Sequence, residues 1–273
     1  MGRRNWRLRT ALATGLAVGL AALHAAAAVA QDSPYGTSDY GGGWASPSLD
    51  TSMAISREVI NRSIIDDIAR KHVAGSSRPT TPAPKSASGS SPSHDRAAAG
   101  FRTDFVRSKV VQRRSEARLL AELAQRQPNA VAEYRQVLAG NDMAAIFDRS
   151  AAAYGLKSND VADTMAAYWL VSWVIANDAA DFTVAQARAV RGQLRAGLAR
   201  SAAARFDAPK KQQMADEAIF NTLVATAIYE SVQNGKISKA DYRRVGEVTY
   251  KTFLGTGADL RQLRLTDAGF VKR

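Results

Sequence analysis

The segment Ser158–Ala180, SNDVADTMAAYWLVSWVIANDAA, constrains this chain more than any other. Between Met165 and Ala176 the one strongly polar residue is Ser172, so a helix here is apolar around nearly its whole circumference. No face of such a helix suits water, and other elements have to enclose it. The run is shorter than the roughly 20 apolar residues that cross a bilayer, and Asp160, Asp163, Asp178 and Asp181 flank it. It reads as the core helix of a globular domain. Tyr168, Trp169 and Trp173 are its largest side chains, with Trp169 and Trp173 one turn apart on one face. Aromatic residues at this spacing usually fill interiors; the alternative is a ligand groove lined by them.

The flanking sequence supplies the enclosing elements. Ser108 to Gln127 places Val110, Val111, Leu119, Leu120 and Leu123 inside and Arg113, Arg114 and Arg118 outside. Pro128 opens a second helix that ends at Leu138, before Gly140 in a position suited to a left-handed cap. Asn141-Asp142 starts a short helix through Phe147 to Tyr154, stopped by Gly155. Thr183 and Gln186 have capping-box spacing ahead of Val190, Leu194 and Leu198 on successive turns. Asp207–Gln233 and Ser238–Leu254 follow as helices, separated by Asn234-Gly235. No stretch alternates convincingly as a strand, and no repeat of fixed period is present. The predicted class is all-α: a compact, mostly antiparallel multi-helix bundle around a buried central helix, occupying residues 101–273.

Residues 1–100 have a different composition. Arg3, Arg4, Arg7 and Arg9 precede the apolar run Ala11–Ala22, and Ala28-Val29-Ala30 has the small-x-small pattern of a signal-peptidase site. This predicts a signal peptide over 1–30, a mature chain from Gln31 in the periplasm or outside the cell, and no transmembrane helix after cleavage; a retained anchor is the alternative. Residues 31–51 are rich in Gly, Ser, Tyr and Pro and are expected to be disordered. Over 52–74, Ile55, Val59, Ile64 and Ile68, widened by Ile60 and Ile65, predict one amphipathic helix. A lone helix of that length is marginal in water, so it either docks on the domain or meets another chain. Pro79, Pro82, Pro84 and Pro92 mark residues 75–100 as a linker.

The segments Asp160-Val-Ala-Asp163-Thr-Met-Ala-Ala-Tyr-Trp169 and Asp259-Leu-Arg-Gln-Leu-Arg-Leu-Thr-Asp-Ala-Gly-Phe270 resemble the signatures of an uncharacterised family of secreted proteobacterial proteins, a domain of unknown function. The resemblance covers roughly residues 100–273. It implies export and a shared helical domain, and it carries no activity, cofactor or site.

The residue inventory narrows the chemistry. The chain has no cysteine, which excludes disulfides, thiolate metal sites and cysteine nucleophiles. Its histidines are His24, His72 and His94, all upstream of residue 101, so the domain lacks the residue for Ser-His-Asp catalysis or histidine-ligated zinc. No nucleotide-binding glycine loop is present, and Gly255-Thr-Gly257 reads as a cap and turn. No cofactor, metal site or catalytic residue is assigned. Asp160 and Asp163 share a helix face as an acid–base pair, a cation site, or simply acids favoured at a helix start. Glu217 and Glu230 are a candidate glycosidase pair across facing helices. Glu230–Asp241 resembles half an EF-hand loop, but Val232 stands at a ligand position and Asp241 replaces the closing glutamate.

The formal charge is +12, and a chain starting at Gln31, without the four signal arginines, is near +8. Arg188, Arg191 and Arg195 form a stripe opposite the apolar side of their helix, extended by Arg200 and Arg205. The stripe is the candidate binding site, through forked donors to phosphate or carboxylate; a solvated face is the alternative. The function expected is therefore an exported helical binding or interaction domain with an anionic envelope ligand or a protein partner, export disfavouring nucleic acid. A carboxylate-dependent envelope hydrolase is the second reading.

Overall fold

A computed structural model describes residues 101–273, except 127, 129 and 130, together with Ile65. The expectations for residues 1–30, 31–51, 52–74 and 75–100 lie outside the described residues, apart from Ile65. That residue is helical, partly buried and packed against the core.

The central helix forms because Asp160 caps it. The Asp160 carboxylate accepts from the amides of Ala162 and Asp163, and the helix then runs Val161–Asn177. Around it, in chain order, stand α1 (Lys109–Arg126), α2 (Val131–Gly140), α3 (Met143–Ala151), the central helix as α4, α5 (Val184–Ala199), α6 (Ala208–Gln233) and α7 (Lys239–Gly255). α5, α6 and α7 all pack on α4, while α1 lies against α6. Gly246 lets α7 approach the α4 backbone closely: a β-carbon there would stand 2.9 Å from the Ile175 carbonyl oxygen. Trp169 is fully buried, edge-on to Phe253 at 5.3 Å between ring centroids and 6.1 Å from Phe270. Trp173 is only partly buried and donates its indole N–H to the Leu263 carbonyl at 3.1 Å. The domain is thus an all-α bundle around a buried helix, as its apolar pattern predicts.

Local punctuation follows the sequence at most boundaries. Thr183 and Gln186 form the reciprocal capping box, and Ser238 caps α7 through the Asp241 amide. Gly155, Gly235 and Gly257 all have positive φ at stops or turns. Gly140 does not: it is the last residue of α2, and the chain passes straight into the Asp142 cap of α3 without a left-handed residue. Two side chains of α1 also depart from the expected facing. Val110 is 50% exposed, while Arg118 points inward at Glu122 and Glu217. Helical periodicity locates a stripe, but the neighbour it meets decides which edge is covered.

The expectation of no strand fails at the end of the chain. After a 3-10 turn at Leu260–Gln262, β1 (Leu263–Thr266) and β2 (Gly269–Lys272) pair antiparallel, with Leu265 opposite Phe270. Four-residue strands are too short to show alternation. What holds them is a tertiary clasp: the buried Gln193 side chain of α5 accepts from the Phe270 amide and donates to its carbonyl, both at 2.8 Å. Gly269 has φ +98°, and a β-carbon there would run into the Gln193 amide. Gly269→Ala is expected to cost about 1–3 kcal/mol by combining an unfavourable backbone with a displaced buried amide. Urea denaturation would measure the loss, and a wild-type midpoint would show that the clasp is dispensable.

Candidate functional site

The chain enters the domain as an extended strap over Phe101–Ser108, bridged antiparallel to the start of α4 at Asp104 and Asp160. The Phe105 amide donates to the Asn159 carbonyl, and the Val161 amide to Thr103, each at 3.0 Å. Farther along, Arg107 donates to the Ser158 carbonyl at 2.9 Å and pairs with the buried Asp216 of α6. Gln212 of α6 closes the strap, accepting from the Ser108 amide at 2.6 Å and donating to its carbonyl at 2.9 Å.

Asp160 lies under this strap. One carboxylate oxygen caps α4; the other accepts from the Thr103 hydroxyl and from Arg195, both at 2.9 Å. Asp163, one turn on, accepts from the Lys157 amide at 3.0 Å and places its other oxygen 3.2 Å from Arg191 Nε. Spacing explains the match: two acids three apart on α4 face two arginines four apart on α5, so each pair meets across the helix contact. Both acids are buried, whereas the side chains of Arg191 and Arg195 remain 36% and 42% exposed. Arg188 is exposed one turn earlier. The structure therefore joins two sets of residues that the sequence treats separately, and two of the three stripe arginines have internal partners.

Burial pushes the Asp163 carboxyl up to about 6, with the Asp160 charge adding to the rise and Arg191 opposing it. A carboxyl whose folded value lies above its unfolded one favours the protonated native state. Stability from this group is greatest below the ordinary aspartate value and declines as pH rises from about 4 to about 6, by up to about 3 kcal/mol. The expected result is an Asp163 side-chain carbonyl resonance titrating near pH 6. In Asp163→Asn that pH-dependent fall in stability should disappear, and titration in the ordinary carboxylate range would contradict the assignment.

Beyond the stripe the basic surface continues across the strap. Lys211 donates to the Arg102 carbonyl at 2.6 Å and stands 5.4 Å from the Phe101 ring centroid. Lys210 lies 5.8 Å from the Phe206 ring centroid, and Arg205 is exposed. Asp104 and Asp207 are interspersed, Asp104 pairing with Arg102 at 2.6 Å and Asp207 capping α6 through the Lys210 amide. Arg102, Lys210 and Lys211 are surface residues the sequence reading missed. The Lys210-Lys211 doublet is visible in the sequence, but the contact of Lys211 with the strap is not.

The other candidates resolve differently. Glu217 and Glu230 lie on the same helix, thirteen residues apart, which at 1.5 Å per residue is about 20 Å. Glycoside hydrolysis uses carboxyl separations of roughly 5–9.5 Å, so they do not form a glycosidase pair. In the half EF-hand, Val232 is still within α6, Gly235 turns the chain at φ +70°, and Asp241 is committed to Ser238 at 2.6 Å and Arg244 at 3.1 Å. This is a helix–turn–helix connection. The closing signature is structural as well: Asp259 caps the 3-10 turn, while Arg261 pairs with Glu247, donates to the Ala176 carbonyl at 3.2 Å and lies 4.1 Å from the Tyr250 ring centroid. Among the described residues no helix is long and apolar enough to cross a membrane, and no group of three or more His, Cys, Asp or Glu is placed to hold a metal ion.

No curated protein and no solved structure matches the chain. Its family likeness is broader than the two signatures suggest, taking in most of the first hundred residues along with the helical domain. The chain belongs to a family of unknown function, DUF6683, whose pattern matches residues 10–273.

Proposed function

We propose that the helical domain is the binding module of an exported protein and meets anionic groups of the cell envelope through Arg188, Arg191 and Arg195. The observation that carries this reading is the way buried Asp160 and Asp163 hold Arg195 and Arg191, Arg191 also donating to the Gly155 carbonyl at 3.5 Å, while 42% and 36% of these side chains stay in solvent. A guanidinium has five donors in a fixed fork, so an edge spent on an aspartate leaves others for a ligand. Holding the side chain in place beforehand lowers the ordering cost of binding. Arg102, Arg205, Lys210 and Lys211 extend the same sign of charge.

The internal pairs also change the suitable test. Reversing the charge of all three arginines should not leave the fold intact, because glutamate at 191 or 195 would face a buried carboxylate. Arg188→Glu with Arg205→Glu changes exposed positions only. Binding of the double variant to phosphatidylglycerol-containing vesicles at low salt should fall roughly tenfold or more, since each charge near an anionic surface contributes about 1 kcal/mol. Wild-type binding should weaken as salt rises. Equal binding by two well-folded proteins would return the stripe to a solvated face.

A hydrolase reading has one residue in its favour, Asp163, whose carboxyl is raised toward neutral pH. Its oxygens are occupied by Lys157 and Arg191, however, and its side chain is 4% exposed. The binding module is the better account.

A further inference from the structure

Asp160 and Asp163 stand one turn apart at the start of α4, and their surroundings treat the two carboxylates unequally. Asp160 accepts from the amides of Ala162 and Asp163, from the Thr103 hydroxyl and from Arg195. Asp163 accepts from the Lys157 amide, through one oxygen. Its other oxygen is buried without a hydrogen bond, although Arg191 Nε stands 3.2 Å away. A buried carboxylate short of donors, beside a second carboxylate, is the member of the pair with room for a proton.

The two arginines are held unequally as well. Arg195 has its bond to Asp160. Arg191 has Asp163 and, at 3.5 Å, the Gly155 carbonyl, which is at the limit of a hydrogen bond. Two acids balance two arginines while all four are ionised; with Asp163 neutral, one positive charge is left over, and it belongs to Arg191.

We propose that Asp163 is a proton-operated catch on the arginine stripe: ionised it holds Arg191 against α4, and protonated it releases Arg191 to a bound oxyanion. The proposal rests on the stripe being the contact with anionic envelope groups. The charged groups acting on Asp163 are Asp160 beside it and Arg191 and Arg195 of α5, and the turn before α4 supplies the Lys157 amide. Burial and the Asp160 charge outweigh the two arginines and push the carboxyl up to about 6, so the catch opens as pH falls through that value. Binding and proton uptake then reinforce one another, since an anion that draws Arg191 away from Asp163 favours the protonated acid by the same factor.

His72 and His94 titrate in the same range, so the test uses the chain from Gln31 with His72→Gln and His94→Gln, which holds no histidine. Its affinity for phosphatidylglycerol-containing vesicles at low salt should be about fivefold tighter near pH 5 than near pH 7.5, the effect of one added charge at an anionic surface. Asp163→Asn in that chain should bind near pH 7.5 as tightly as its parent does near pH 5, and should lack the step. Without vesicles, the Arg191 Nε–H resonance of the parent should shift with the same midpoint as the Asp163 side-chain carbonyl, which reads the catch even if circular dichroism shows Asp163→Asn to be unfolded. Equal affinity of the parent at both pH values, a step of the same size in a folded Asp163→Asn, or an Arg191 resonance indifferent to the Asp163 midpoint would each overturn the proposal and leave the stripe standing as a binding surface. Absence of vesicle binding by the parent at either pH would overturn the stripe itself, and the catch with it.

Discussion

Trp169→Ala is expected to destabilise the domain by about 3–5 kcal/mol, enough to leave many domains of this size marginal. The indole is fully buried between Phe253 and Phe270, so α7 and the terminal hairpin each lose one packing contact with α4 when it goes. Its N–H has no hydrogen-bond partner. The loss is therefore one of packing and cavity formation, with no polar interaction to subtract. Trp169→Phe should cost clearly less because it leaves a smaller void. Urea unfolding followed by circular dichroism would measure both variants, and a loss below about 1 kcal/mol for alanine would contradict the central position given to this ring.

Asp160→Ala should have a comparable effect, about 3–5 kcal/mol, through a different mechanism. The substitution removes the cap of α4, worth about 0.5–2 kcal/mol by itself, and it strips partners from Thr103 and Arg195 together. A partly buried guanidinium left without its acid adds the penalty of an unpaired charge. Asp160→Asn separates the contributions, because an asparagine oxygen still accepts from the Ala162 amide while its charge is lost. The asparagine variant is expected to retain at least half of the stability that alanine forfeits. Equal losses for the two would place the whole effect in the Arg195 pair.

Those residues also show what the sequence can and cannot express. Asp160 before Val161, Thr183 before Gln186 and Gly155 after Tyr154 are local signals read within a turn or two, and each stands where its chemistry demands. The bundle class follows from the same logic, since Met165–Ala176 leaves no face for water. The meeting of Asp160 with Arg195 and of Asp163 with Arg191 is of another kind. It depends on how far α5 slides along α4 and how it rotates, and spacing along one chain contains neither quantity. Glu217 and Glu230 failed as a pair for the complementary reason: both belong to α6, so the helical rise already separates them. The hairpin was hidden because two four-residue strands have little pattern of their own, and their position is set by Gln193, seventy-seven residues before Phe270.

The strap gives the domain a defined response to mechanical load. A pull transmitted through residue 101 reaches the domain at Phe101–Ser108, where hydrogen bonds to Asn159, Asp160 and Val161 lie ahead of the pair to Asp216 and the two hydrogen bonds to Gln212. Tension therefore meets the Lys211 bond to the Arg102 carbonyl and then the start of α4 before it reaches the Asp216 and Gln212 contacts, and it does not act first on the packed ring of Trp169. A protein tethered through its N-terminal part would yield in two stages, with the strap as a sacrificial outer latch and the bundle intact behind it.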